Sequence, residues 1–149
     1  MPYRSDNGGF ATNAPIKLQF NQSSTWATRL SQIGKNPYYT IICTTALPDV
    51  DYAEKVLSKA NRGVILYVPE SCAANARELK KRLPWLCVFV VPTVNVNLAV
   101  IEPFTVWLSS DPLGKGRGLD ASVGIHSEEA RITVQGWIEQ AYDRAKELN

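Results

Sequence analysis

Histidine is almost missing from this chain: His126 is the only one. Cysteine is scarce as well. Cys43, Cys72 and Cys87 are odd in number and share no short ligand spacing, which argues against a disulfide framework and a cysteine zinc site. No metal and no cofactor is therefore expected. Long apolar runs are absent, and none approaches the length of a membrane span. The first residues, Met1 to Asp6, lack the apolar core of a signal peptide. Those two absences make a cytoplasmic protein with no membrane partner the expectation. Charge of one sign does not prevail either. A formal net charge of +2 neither demands nor excludes nucleic acid, so clustering on one face would decide.

What is present fits an ordinary folded domain. The 149 residues make one domain by length, with 45% hydrophobic and 20% charged residues. Such a chain buries a core without disulfides or metal. Cys43 and Cys87 lie in apolar runs and read as small buried residues. Cys72 follows Ser71 at a helix start, where a thiol pKa can fall. No histidine lies nearby in sequence to activate it, so an inert thiol is the plain reading and a reactive one the alternative.

Residues 1–14 are polar and glycine-rich and read as a flexible arm; residues 15–149 read as the domain. Ile16 to Phe20 alternates as a half-buried strand. Ser23 or Ser24 can cap a helix carrying Trp26, Leu30 and Ile33, closed by Gly34 and Pro37. Tyr38 to Thr44 reads as a central strand. Asp49 or Asp51 caps a helix with Tyr52, Val56, Leu57 and Ala60, ended by Asn61-Arg62-Gly63, where Gly63 suits a positive φ. Val64 to Val68 is the next strand. A helix follows with Ala76, Leu79 and Leu83 inward and Arg77, Lys80, Lys81 and Arg82 outward, stopped by Pro84. Leu86 to Val91 is a strand, and two short strands, Asn97 to Ile101 and Thr105 to Leu108, are joined by a Glu102-Pro103-Phe104 turn. Asp111 to Gly118 is an exposed loop. Ala121 to Ile125 is the last strand. Ser127 caps a final helix with Val134, Trp137 or Ile138, Ala141, Ala145 and Leu148 inward. Trp107 and Trp137 read as core residues. Strands alternate with helices, so the class is α/β with a mixed, mostly parallel sheet flanked by helices.

The most informative stretch runs from Asn95 to Ser110. Asn95 and Asn97 are followed after four residues by Glu102, and after six more by Ser109-Ser110. This spacing resembles the His-x-Lys, four residues, Asp, six residues, Gly-Ser motif of the phospholipase D superfamily. Asn95 takes the histidine place, Asn97 the lysine place and Glu102 the aspartate place, with Ser109 and Ser110 in place of Gly-Ser. Asn61-Arg62-Gly63-Val64 and the helix with Arg77 to Lys81 match the family's order of elements, so the resemblance spans roughly Ile16 to Leu148. It implies a single phospholipase D-like domain, similar to the family's small single-motif endonucleases. It also implies a homodimer in which two motifs meet at one site across a two-fold axis.

In that family, the resemblance implies, one histidine attacks phosphorus, its partner acts as general acid, lysines neutralise phosphoryl oxygens, and the aspartate orients the imidazole. A carboxamide cannot replace an imidazole nucleophile, because its nitrogen lone pair is delocalised. Asn97 can donate to phosphate but carries no charge, a loss worth about 100-fold or more in rate. No catalytic residue is assigned, and a pseudoenzyme is expected. Asn95, Asn97, Glu102, Ser109 and Ser110 remain candidates for a polar cleft that binds without cutting. Alternatively, the asparagines are solvated strand-edge residues and Glu102 merely begins a turn. Gly114-Lys115-Gly116-Arg117-Gly118 offers backbone N–H groups and two cations for an anion. It lacks the Lys-Ser/Thr ending of a phosphate-binding Walker loop, and a plain solvated loop is its other reading. Lys80 and Lys81 can touch a nucleic-acid backbone or simply form a wet helix face. His126 reads as a capping or surface residue.

Three functions follow as expectations. The first is a phosphate-binding or nucleic-acid-binding pseudoenzyme. The second is a protein-interaction or inhibitor module, of a kind a phage or mobile element would carry. The third is a phosphodiesterase with a rewired site, resting on Cys72, His126, Ser109 or Ser110.

Overall fold

The computed structural model describes residues 14–22, Trp26, Leu30, Ile33, 39–116 and 118–149. The expectations for the arm, for Ser23, Ser24, Gly34 and Pro37, and for Arg117 fall outside those residues. The described strands are β1 (Ile16–Asn21), β2 (Thr40–Cys43), β3 (Val64–Pro69), β4 (Cys87–Val91), β5 (Asn97–Ile101), β6 (Thr105–Ser109), β7 (Asp120–His126) and β8 (Lys146–Glu147). The helices are α1 (Val50–Leu57), α2 (Ala73–Arg82) and α3 (Glu128–Ala141), and a 3₁₀ turn at Glu70–Cys72 leads into α2.

One sheet contains all eight strands in the order β1-β7-β6-β5-β2-β3-β4-β8. Only β2–β3 and β3–β4 pair in parallel; the other neighbours are antiparallel. The expectation of a mostly parallel sheet is therefore corrected. α1 links β2 to β3 and α2 links β3 to β4, crossover connections of the kind that parallel neighbours require, while α3 joins β7 to β8, which are not neighbours in the sheet. The β5–β6 hairpin and the strand after it build an antiparallel half.

Helix starts follow the capping chemistry. Asp49 Oδ1 accepts from the Tyr52 N–H at 2.9 Å, and Ser127 Oγ from the Ala130 N–H at 3.1 Å. Gly63, at φ 75°, turns the chain from α1 into β3 where a side chain would be strained. Trp26, Leu30 and Ile33 are buried together, and the Leu30 N–H donates to the Trp26 carbonyl, a helical bond.

The C-terminal reading needs correction. The helix expected to reach Leu148 stops at Ala141, and Tyr142 leaves it at φ −115°. The chain then pairs as β8 with β4, and the Leu148 N–H donates to the Val88 carbonyl. Capping an open sheet edge outweighs the helical spacing of Ala145 and Leu148. Ala141 is exposed, Ile138 is buried, and Trp137 is 44% exposed rather than a core residue.

Two cores sandwich the sheet. On one face Leu57, Leu79, Leu66 and Ile42 pack with Trp26 under α1 and α2. On the other, Leu98, Val100, Val106 and Tyr67 pack under Ile138 of α3. Trp107, half-buried on the first face, lies flat across Gly124 of the neighbouring strand. A Cβ on Gly124 would stand 2.7 Å from the indole ring.

Candidate functional site

The motif residues do not gather at one point, because they are strung along a hairpin. In the β5–β6 register Asn97 pairs with Ser109, so the turn formed by Glu102 lies at the hairpin's other end. Five residue steps of strand separate Asn97 from Glu102, roughly 17 Å. The structure thus brings Asn97, Ser109 and Ser110 together and leaves Glu102 apart.

Asn97 is 8% exposed and held on three sides. Its Oδ1 accepts from the Thr45 N–H at 2.8 Å and the Thr45 hydroxyl at 3.0 Å. Its Nδ2 donates to the Ser110 carbonyl at 3.3 Å. Asn97 therefore ties the end of β2 to the end of β6. The network continues outward. Ser110 Oγ donates to Asp120 Oδ1 at 2.8 Å and accepts from the Ala121 N–H at 2.9 Å. Asp120, fully buried, also accepts from the Asp111 N–H at 3.3 Å. Thr44 Oγ1 accepts from the Leu113 N–H at 2.9 Å and donates to the Ala46 carbonyl at 2.6 Å. Sequence reasoning missed Thr44, Thr45 and Asp120. A buried aspartate beside a hydroxyl has no spacing signal, since its partners lie on other strands.

Asn95 does face solvent. It lines a cleft of about 450 Å³ with Pro92, Thr93, Tyr142, Asp143 and Arg144. At the hairpin's far end, Glu102 is half-buried and faces Arg131 Nη1 at 3.7 Å, while Arg131 Nε donates to the Pro103 carbonyl at 2.9 Å. The Glu102–Pro103 bond is cis. His126 sits at this same end, bonded to Thr105 Oγ1 at 3.1 Å and edge-on to Phe104. It is far from Asn97, consistent with a surface role.

The basic candidates fall in two places. Lys115, 77% exposed, lies 3.8 Å from Asp49 Oδ2 and lines a cleft of about 370 Å³ with Asp51, Tyr52, Lys55 and Lys59. Its loop is fixed over the start of α1, with Gly114 close against Pro48. Lys81 is exposed beside Arg77. Lys80 instead folds back on the helix end, donating to the carbonyls of Pro84 (2.8 Å) and Leu86. Arg82 is committed to Asp51 at 2.5 Å, Glu54 at 3.0 Å and Glu78 at 3.1 Å, and these hydrogen bonds hold its pKa above the ordinary range.

Two of the thiols are held protonated by their surroundings. Burial pushes Cys43 up to about 12, and burial with the Glu147 contact pushes Cys87 up to about 11. Among the described residues no cluster of His, Cys, Asp and Glu could hold a metal, and no helix is long and apolar enough to cross a membrane.

No family model matches this sequence, and no curated protein does. Solved structures do. NucT from Helicobacter pylori matches with a TM-score of 0.63 at 13% identity, over 88% of this chain and 98% of that one. Nuc from Salmonella typhimurium, a phospholipase D family member, matches with a TM-score of 0.59 at 11% identity, over 91% of this chain and 99% of that one. TrmBL2, an archaeal chromatin protein with a novel mode of DNA binding, matches with a TM-score of 0.59 at 10% identity over 88% of this chain. This chain spans about half of TrmBL2, 54% of its length. At such identities the likeness shows the fold.

Proposed function

Because this chain carries the phospholipase D-like fold with asparagines in the histidine and lysine places, we propose that it binds phosphate-bearing polymers, nucleic acid first, without cleaving them. The observation that carries this reading is the state of Asn97. The side chain in the lysine place is spent on Thr45 and Ser110 and is nearly sealed from solvent. Nothing there meets a phosphoryl oxygen with positive charge. Asn95 faces an open cleft but brings a carboxamide, which is no nucleophile. Ser110, the best hydroxyl, has only a carboxylate beside it, a weak base for an alcohol.

Binding is assigned to the cleft of Lys55, Lys59 and Lys115. Three ammonium groups around Tyr52 outnumber the one lining carboxylate, Asp51, which is itself paired with Arg82, and they suit a strand of phosphates passing an aromatic ring. The presence among the structural neighbours of Nuc, a phospholipase D family member, and of a DNA-binding chromatin protein supports nucleic acid over free phosphate. The test is fluorescence anisotropy with labelled single- and double-stranded DNA and RNA, with gels on the same samples. Three lysine–phosphate contacts predict affinity falling roughly 40-fold between 50 and 200 mM salt, with intact substrate. Cleavage, or no binding at low salt, sinks the reading.

A protein-interaction role has its own observation: a row of exposed apolar side chains, Ile16, Leu18, Phe20 and Leu108. That row fits a protein surface better than a polyanion.

A further inference from the structure

The face under α3 is only half covered. Residues paired across antiparallel strands point to the same side of a sheet. Leu18 pairs with Val123, Val123 with Leu108, Leu108 with Leu98, and Leu98 with Cys43. Leu98 and Cys43 belong to the core beneath α3. Leu18 and Leu108 therefore stand on that same side, beyond the reach of the helix. Ile16 and Phe20, two residues either side of Leu18, share its face. Their exposure is 65% for Ile16, 58% for Leu18, 60% for Phe20 and 41% for Leu108. Ala121, Val123 and Ile125 fill the row between β1 and β6, and Lys17 and Gln19 point to the opposite face. The result is an uncharged, apolar shelf across β1, β7 and β6.

We propose that this shelf is the docking surface for a second copy of the chain, the same patch meeting itself about a two-fold axis. An apolar patch of this size matches the largest found on ordinary monomers, and such patches are often functional. The exposed parts of the four side chains amount to on the order of 500 Å². A standard interface takes about 800 Å² per partner, about two-thirds of it apolar in homodimers, so the shelf supplies the apolar share. With no charge on the shelf, placing it against its own copy opposes no like charges. A flat row of alternating Ile, Leu and Phe suits another flat sheet at ordinary sheet-on-sheet spacing.

The inference stands apart from the nucleic-acid reading and departs from the dimer that the family resemblance implies. Asn97 pairs with Ser109, and Ser109 with Ser122, which pairs with Gln19, so Asn97 belongs to the face away from the shelf. A dimer built here keeps each motif on its own chain instead of merging two motifs into one site.

Sedimentation equilibrium of the full chain at micromolar concentrations tests this. The expected result is a dimer that Leu18→Lys weakens about thirtyfold or more, the scale of losing an interface hot spot. Leu18→Met should retain the dimer, and Lys17→Glu, on the other face, should leave it unchanged. Circular dichroism reports folding, and Leu108→Lys, on a different strand, serves if Leu18→Lys unfolds. A monomeric wild type overturns the proposal and leaves the shelf to a different protein. A dimer indifferent to both lysine variants, or one broken by Lys17→Glu, overturns it too.

Discussion

The two ends of the β5–β6 hairpin carry one motif and have become two kinds of structure. At the Asn97 end, the side chain in the lysine place is buried and joined to two other strands by three hydrogen bonds. At the Glu102 end, a half-buried carboxylate meets Arg131 at 3.7 Å, and the arginine's better bond goes to the Pro103 carbonyl. Spacing is retained at both ends, but only one is built into the core. The comparison teaches that residues at one spacing along a hairpin can take unlike structural roles, because strand register carries them to opposite ends.

The comparison breaks first at Asn97. Asn97→Ala strands the Thr45 N–H and removes the tie to Ser110, so a loss of about 2–3 kcal/mol is expected in chemical denaturation. Loss under about half a kcal/mol would make the residue a bystander. At the other end, Arg131→Ala should cost about 1 kcal/mol through the lost bond to Pro103. Glu102→Gln should cost less than about 0.5 kcal/mol, because a long, partly exposed ion pair contributes little. A Glu102 variant as damaging as Asn97→Ala would erase the distinction between the ends.

A pH effect also belongs beside the Asn97 end. Cys43 pairs with Leu98, next to Asn97, and burial raises its pKa to about 12 from 9.0. A thiol raised by folding contributes its stability fully below its unfolded pKa and loses it as pH climbs toward the folded value. Stability should therefore fall between about pH 9 and 12. Cys43→Ala should flatten that part of the profile, read as denaturation midpoints across the pH series. An unchanged slope in the variant would assign the alkaline loss to other groups, Cys87 among them.

Much of the fold was legible because local rules acted locally. Asp49 and Ser127 cap the helices assigned to them, Gly63 takes its positive φ, and the strands fall within a residue or two of their apolar runs. The end of α3 was not legible. Ala145 and Leu148 keep helical spacing, but an open β4 edge claims the chain after Tyr142. The basic residues were read by sign alone, and sign does not reveal that Lys80 is folded onto carbonyls or that Arg82 is surrounded by carboxylates. The candidate site was legible as a spacing and not as a network. Thr45 and Asp120 reach Asn97 and Ser110 from distant strands, and only the folded register brings them there.

The indole of Trp107 resting on Gly124 ties two positions on neighbouring strands into one hereditary unit. A ring 2.7 Å from the place of a Cβ leaves no room for any side chain opposite it. Divergence at Gly124 must follow, never precede, the shrinking of Trp107.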